Sequence, residues 1–162
     1  NNVRGVPMDT ELVPIPIGTW EVVRPGEGYA ILASGPMVQL AEEAADQLKR
    51  EGITVEVVNA RFLKPLDGGM LRNLAETGTS MLVLEEASQA GSLGSAVLEF
   101  FAEQGIHDAV VSLMGIEDRF IEHGSIPQQR EEVGLTLESV CQEIRSLKNA
   151  RTAVLGKRSF MS

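Results

Sequence analysis

The chain has one cysteine, two histidines and few aromatic residues (one Trp, one Tyr, five Phe) among 162 residues, and each scarcity removes a class of protein. The lone Cys141 cannot close an internal disulfide and fits a reducing compartment. It also falls on the apolar stripe of a helix pattern, where a thiol packs rather than reacts. His107 and His123 stand far apart, and with one buried cysteine they do not compose a zinc site. Basic residues are outnumbered, 14 Lys and Arg against 23 Asp and Glu, for a net charge of −9 and a pI near 4.7. The average field therefore repels nucleic acid and anionic membranes. No apolar run approaches the about 20 residues of a membrane span, and the N-terminus lacks a charged start followed by an apolar core. The expectation is a soluble, cytoplasmic domain with neither nucleic acid nor membrane as partner.

What is present is an alternation. Residues 1–18 hold Pro7, Pro14 and Pro16 among short apolar steps, which cannot sustain a helix and suit an extended connector to something upstream. Thr19–Val23 alternates, and Arg24-Pro25-Gly26-Glu27-Gly28 supplies turn chemistry before Tyr29–Ala33, so an antiparallel hairpin with its first strand at a sheet edge is expected. Apolar runs at Tyr29–Ala33, Ile53–Val58, Met81–Leu84 and Ala109–Met114 alternate with helix-period segments, the pattern of parallel strands covered on both faces. Helices are expected over about 37–51, stopped by Gly52; near 68–77, capped by Asp67 and ended by Gly78; over about 93–104, stopped by Gly105; after the capping-box spacing of Ser125 to Gln128, ended by Gly134; and from Thr136 to about 147. The fold class is α/β, a three-layer sandwich around a five-stranded, mostly parallel mixed sheet. Residues 19–147 form the domain, and 148–162, with Lys148, Arg151, Lys157 and Arg158, are expected to be a flexible basic tail.

Two polar, glycine-rich stretches, 85–95 and 115–125, read as strand-to-helix loops at the carboxyl edge of the sheet, the edge where ligands and partners usually dock. The candidate residues of this edge are Arg61, Glu85, Glu86, Gly91, Gly94, Asp118, Arg119 and His123. Opposite charges in converging loops serve either as structural ion pairs or as substrate contacts, and the pattern leans to the former. Gly91-Ser92-Leu93-Gly94-Ser95 before a helix either exposes backbone N–H groups to an anion or lets the helix pack tightly on the sheet. It lacks the lysine and spacing of a P-loop and the third glycine of a dinucleotide fingerprint. No serine sits in a Gly-x-Ser-x-Gly elbow, and no complete catalytic set is present.

Several stretches, in order, carry a resemblance: Ile15-Pro16-Ile17-Gly18-Thr19-Trp20-Glu21, Asn59-Ala60-Arg61-Phe62-Leu63-Lys64-Pro65-Leu66-Asp67, Glu85-Glu86, Gly91-x-x-Gly94-Ser95, and Gly115-x-x-Asp118-Arg119-Phe120-Ile121-Glu122-His123-Gly124. Over about 15–147 the chain resembles the C-terminal third of bacterial 1-deoxy-D-xylulose-5-phosphate synthases, members of the transketolase-like thiamine diphosphate enzymes. The resemblance implies a whole enzyme that decarboxylates pyruvate on thiamine diphosphate with magnesium and adds the resulting carbanion equivalent to glyceraldehyde 3-phosphate. It implies that diphosphate- and pyrimidine-binding domains precede this one and that the whole enzyme is a homodimer. It implies no cofactor, metal or catalytic residue here. The family's Gly-Asp-Gly motif is missing, Asn1-Asn2 does not replace it, and Arg4 lies past the family's phosphate-holding arginine. The expected role is subunit association and active-site closure without chemistry of its own. A homologous domain of another thiamine enzyme, or a free-standing domain that binds a small ligand, are the alternatives.

Overall fold

The computed structural model of the chain describes residues 13–88, 92–116 and 135–159. Five strands, β1 (Glu21–Arg24), β2 (Tyr29–Ala33), β3 (Glu56–Asn59), β4 (Ser80–Ser88) and β5 (Val111–Ile116), form one sheet in the order β1-β3-β2-β4-β5. β1 is antiparallel to β3, and the other neighbours are parallel. Four helices lie within the described residues: α1 (Met37–Arg50), α2 (Gly68–Glu76), α3 (Leu93–Glu103) and α4 (Leu137–Ser159). The expected α/β sandwich with a mostly parallel mixed sheet is what forms.

Alternation along the strands divides the interior in two. Ile31, Val57, Leu82 and Leu84 pack under α1 and α4 with Met37, Ala41, Leu48, Val140 and Ile144. Ala30, Leu32, Val58, Met81 and Val83 face α2 and α3 with Leu71, Val97 and Phe101. A strand buried on both faces has no polar side to show, which is why Ala30–Ala33 reads as an unbroken apolar run and is wholly inaccessible. Each of the fully buried Ile and Leu side chains contributes about 2 kcal/mol through burial. Gly52, Gly78 and Gly105, the expected helix stops, take φ of +79°, +66° and +67°.

The expected hairpin does not form, although β1 does lie at the edge. β3 is inserted between β1 and β2, so residues 25–28 cross the amino end of β3 instead of turning back. That crossing spans two strand spacings, about 10 Å, and passes so close that a Cβ on Gly26 would lie 2.0 Å from Glu56 N and 2.2 Å from Val55 C. The expected end of the last helix near 147 is also corrected. Residues 148–159 continue α4 although they include Asn149, Thr152 and Gly156, and Arg151 reaches back to the start of β2, its Nη1 donating to Gly28 O at 2.9 Å and its guanidinium lying over the Tyr29 ring. Residues 1–12, the helix expected before Gly134 and residues 160–162 lie outside the described residues.

Candidate functional site

β2, β3, β4 and β5 point their carboxyl ends to one edge. β4 runs to Ser88, past a register shift between Leu84 and Ser88, so Glu85 and Glu86 belong to the strand and not to the loop expected after it. Alternation along β4 puts Glu85 on the face of Met81 and Val83, under the start of α3. Glu85 is 5 % exposed, and its carboxylate accepts from the backbone N–H groups of the first two residues of α3, Leu93 N to Oε2 and Gly94 N to Oε1, each at 2.9 Å. A buried carboxylate is tolerated when such donors replace water, and a helix N-terminus supplies them with favourable partial charge. The N–H groups that sequence offered to an anion are thus taken by the chain's own side chain. Gly94 is small for packing: a Cβ there would meet Leu113 Cδ2 at 2.9 Å and Glu85 Oε1 at 3.4 Å.

Arg61 goes elsewhere. Its Nε donates to Thr19 O at 3.2 Å and its Nη1 pairs with Glu21 at 3.4 Å, which fastens β1 to the end of β3. Beside it Trp20 N donates to Asp67 Oδ2 at 2.9 Å and Trp20 Nε1 to Phe62 O at 2.9 Å, while Asp67 Oδ1 accepts from Met70 N and caps α2 as expected. Gly18 lies against Pro65, where a Cβ would sit 2.8 Å from Pro65 Cγ. The stretches 15–21 and 59–67, separate in sequence, are one cluster in space. Glu86 is partly exposed and has an interaction of its own. Gly91, Asp118, Arg119 and His123 lie outside the described residues. Of the eight candidates, the structure brings Glu85 and Gly94 together and directs Arg61 to β1.

Cys141 is fully buried beside Ala44 O, and burial pushes its thiol pKa up, away from nucleophilic use. His107 is exposed in the turn before β5.

Sequence reasoning missed the opposite edge. A cavity of about 320 Å3 opens at the amino ends of β2, β3 and β4, with Glu56 and Arg151 in its lining. Glu56 is partly buried without a hydrogen-bond partner among the described residues, and burial raises its carboxyl pKa. The signal was there: Glu56 is the one charged residue in the apolar run Ile53–Val58.

The described residues do not fit thiamine diphosphate or its magnesium. No three His, Cys, Asp or Glu side chains among them cluster to hold a metal, and the amides best placed for a diphosphate already face the Glu85 carboxylate. No described helix is long and apolar enough to cross a membrane.

Comparison with known proteins agrees with this geometry. The family model for the transketolase C-terminal domain matches residues 18–140. The chain is 51 % identical over 146 residues to 1-deoxy-D-xylulose-5-phosphate synthase of Geobacillus thermodenitrificans, which covers 90 % of this chain and 23 % of that one. It is 48 % identical over 151 residues to the enzyme of the same name from Bacillus licheniformis, covering 93 % and 24 %. The chain therefore spans about a quarter of the length of the curated relatives it matches. Among solved structures, a split-gene transketolase described as an inactive beta4 tetramer superposes with a TM-score of 0.74 at 35 % identity, over 83 % of this chain and 43 % of that one. A transketolase from Pichia stipitis in complex with fructose 6-phosphate shares the fold at a TM-score of 0.59 and 19 % identity, over 80 % of this chain and 18 % of that one. The family match over residues 18–140 and these relatives place the chain in the transketolase C-terminal domain family.

Proposed function

We propose that this chain is the C-terminal domain of a 1-deoxy-D-xylulose-5-phosphate synthase, and that it serves subunit association and closure of an active site built by other domains. The whole enzyme, on this reading, is a cytoplasmic homodimer that joins pyruvate to glyceraldehyde 3-phosphate with loss of CO2. Thiamine diphosphate and magnesium, held by the preceding domains, supply the electron sink. The residues of this chain contribute shape and contact. Glu85 fixes the start of α3, Asp67 and Arg61 fix β1 and α2, and the loops they hold form the surface offered to the other domains. Gly91, Asp118, Arg119 and His123 complete that surface in this proposal.

The observation that supports an associating role most directly is a run of apolar side chains left in water at the β1 edge. Val13, Ile15 and Ile17 are 74 %, 53 % and 79 % exposed, and Val22, Val23 and Leu63 on the neighbouring segments are exposed as well. Single exposed aliphatic residues are ordinary, but six of them on β1 and the segments around it support a contact surface there. The test is a chimera in which this chain replaces the C-terminal quarter of the Geobacillus thermodenitrificans enzyme. The expected result is synthase activity close to that of the parent, while the chain alone turns over neither substrate. A chimera that folds and binds thiamine diphosphate yet stays monomeric and inactive would sink the proposal.

A further inference from the structure

The cavity at the amino edge is walled by opposite charges that do not meet. On one side Glu56 rises from β3 on the face it shares with Val58, and no described residue donates a hydrogen bond to it. On the other, Arg151 comes from α4 and uses Nη1 alone, on Gly28 O; its remaining N–H donors have no partner among the described residues. Gly26 passes against the backbone of Glu56, and the Arg151 guanidinium lies over the Tyr29 ring, 5.8 Å from its centroid. Thr77 and Thr79 also line the cavity; their hydroxyls lie 3.0 Å apart in a mutual hydrogen bond, and Thr77 Oγ1 also donates to the α2 carbonyls of Asn73 and Leu74.

We infer that this cavity binds a small zwitterion of the free α-amino acid class, its ammonium on Glu56, its carboxylate on the Arg151 fork and its side chain toward the Thr77–Thr79 hydroxyls. A simple anion would meet Glu56 and Glu27, and a simple cation would meet Arg151; a ligand that carries both charges satisfies both walls. The volume is at the small end of ligand sites, which matches a molecule of this size. The site lies at the amino ends of the strands, opposite the carboxyl-edge loops assigned to the other domains.

The experiment titrates the 15N-labelled chain with L-alanine, L-threonine and L-glutamine, each beside its N-acetyl derivative and its methyl ester. At least one free amino acid should move the amides of Gly28, Thr77 and Thr79 saturably. Loss of either ligand charge should weaken binding about tenfold or more. Glu56→Gln and Arg151→Lys should each weaken it by a similar factor, with the amides of β4 unmoved as the check that the variants fold. Absence of saturation with all three, equal binding of an acetylated or esterified probe, or undiminished binding by folded Glu56→Gln would overturn the assignment.

Discussion

Glu85 and Glu56 are carboxylates at opposite ends of one sheet, and their surroundings differ in what meets the charge. Glu85 is the more deeply buried, yet both its oxygens receive a backbone N–H. Glu56 retains more access to water and receives no such donor. Burial depth alone does not decide whether a charge is at ease; the count of donors does. The two edges also differ in how tightly backbone meets backbone. At the carboxyl edge Gly94 faces the far end of a leucine, whereas at the amino edge Gly26 faces peptide atoms.

That difference is sharpest in the glycines. Gly26→Ala should be the most damaging of these changes, costing about 3 kcal/mol or more, because the new Cβ would lie against Glu56 N and Val55 C and neither can yield without moving β3. Gly94→Ala, opposed only by Leu113, should cost much less, and urea melts of the two variants side by side check the contrast. If Gly26→Ala proves as stable as Gly94→Ala, the crossing at the amino edge is not the rigid feature described.

Glu85→Ala should follow at about 2–3 kcal/mol, since it leaves the N–H groups of Leu93 and Gly94 buried without an acceptor. Amide exchange should speed up first at those two residues. Glu85→Gln retains one acceptor oxygen but turns an NH2 toward an N–H, so it should recover only part of the loss. Next comes Asp67→Ala, at about 1–2 kcal/mol, which removes the cap of α2 and the acceptor for Trp20 N together. Its signature, beyond a lower melting midpoint, is a shift of Trp20 fluorescence as the indole's surroundings open.

Most of the architecture was legible because burial on two faces writes itself as aliphatic runs, and helix stops need a residue that tolerates positive φ. Asp67 was legible as a cap for the same local reason. What was hidden depends on pairing across the sequence. Pro25, Gly26 and Gly28 suit a tight turn and a strand-skipping crossing equally well, and only β3, arriving about 30 residues later, decides between them. The end of β4 was hidden by Glu85-Glu86, whose charge reads as loop until the amides of α3 are known to receive it. α4 was cut short at Leu147 because its apolar stripe fades there, while the contact that holds Arg151 lies on β2. The Glu85–Gly94 pairing thus turned the anion site of the sequence reading into a self-cap, and Arg61 was placed on the right edge with an unforeseen partner, Glu21.

The smallest effect expected has the opposite sign. Burial raises the carboxyl pKa of Glu56, so in the interval between its unfolded and folded pKa the folded chain binds more protons than the unfolded one. Stability from this group therefore falls as pH rises through that interval, and the full burden is present above the folded pKa. Glu56→Gln should remove it, raising stability slightly above that interval, the gain being small because the side chain keeps access to water, and by progressively less as the pH drops into the ordinary carboxylate range. Thermal melts of both proteins from pH 4 to 7 read this directly. Curves that stay parallel across the range would mean that Glu56 is as well solvated as a surface carboxylate. A stabilised Glu56→Gln that also loses amino-acid binding would show why an unpartnered acid is kept there, its cost to the fold being offset when a ligand supplies the missing donors.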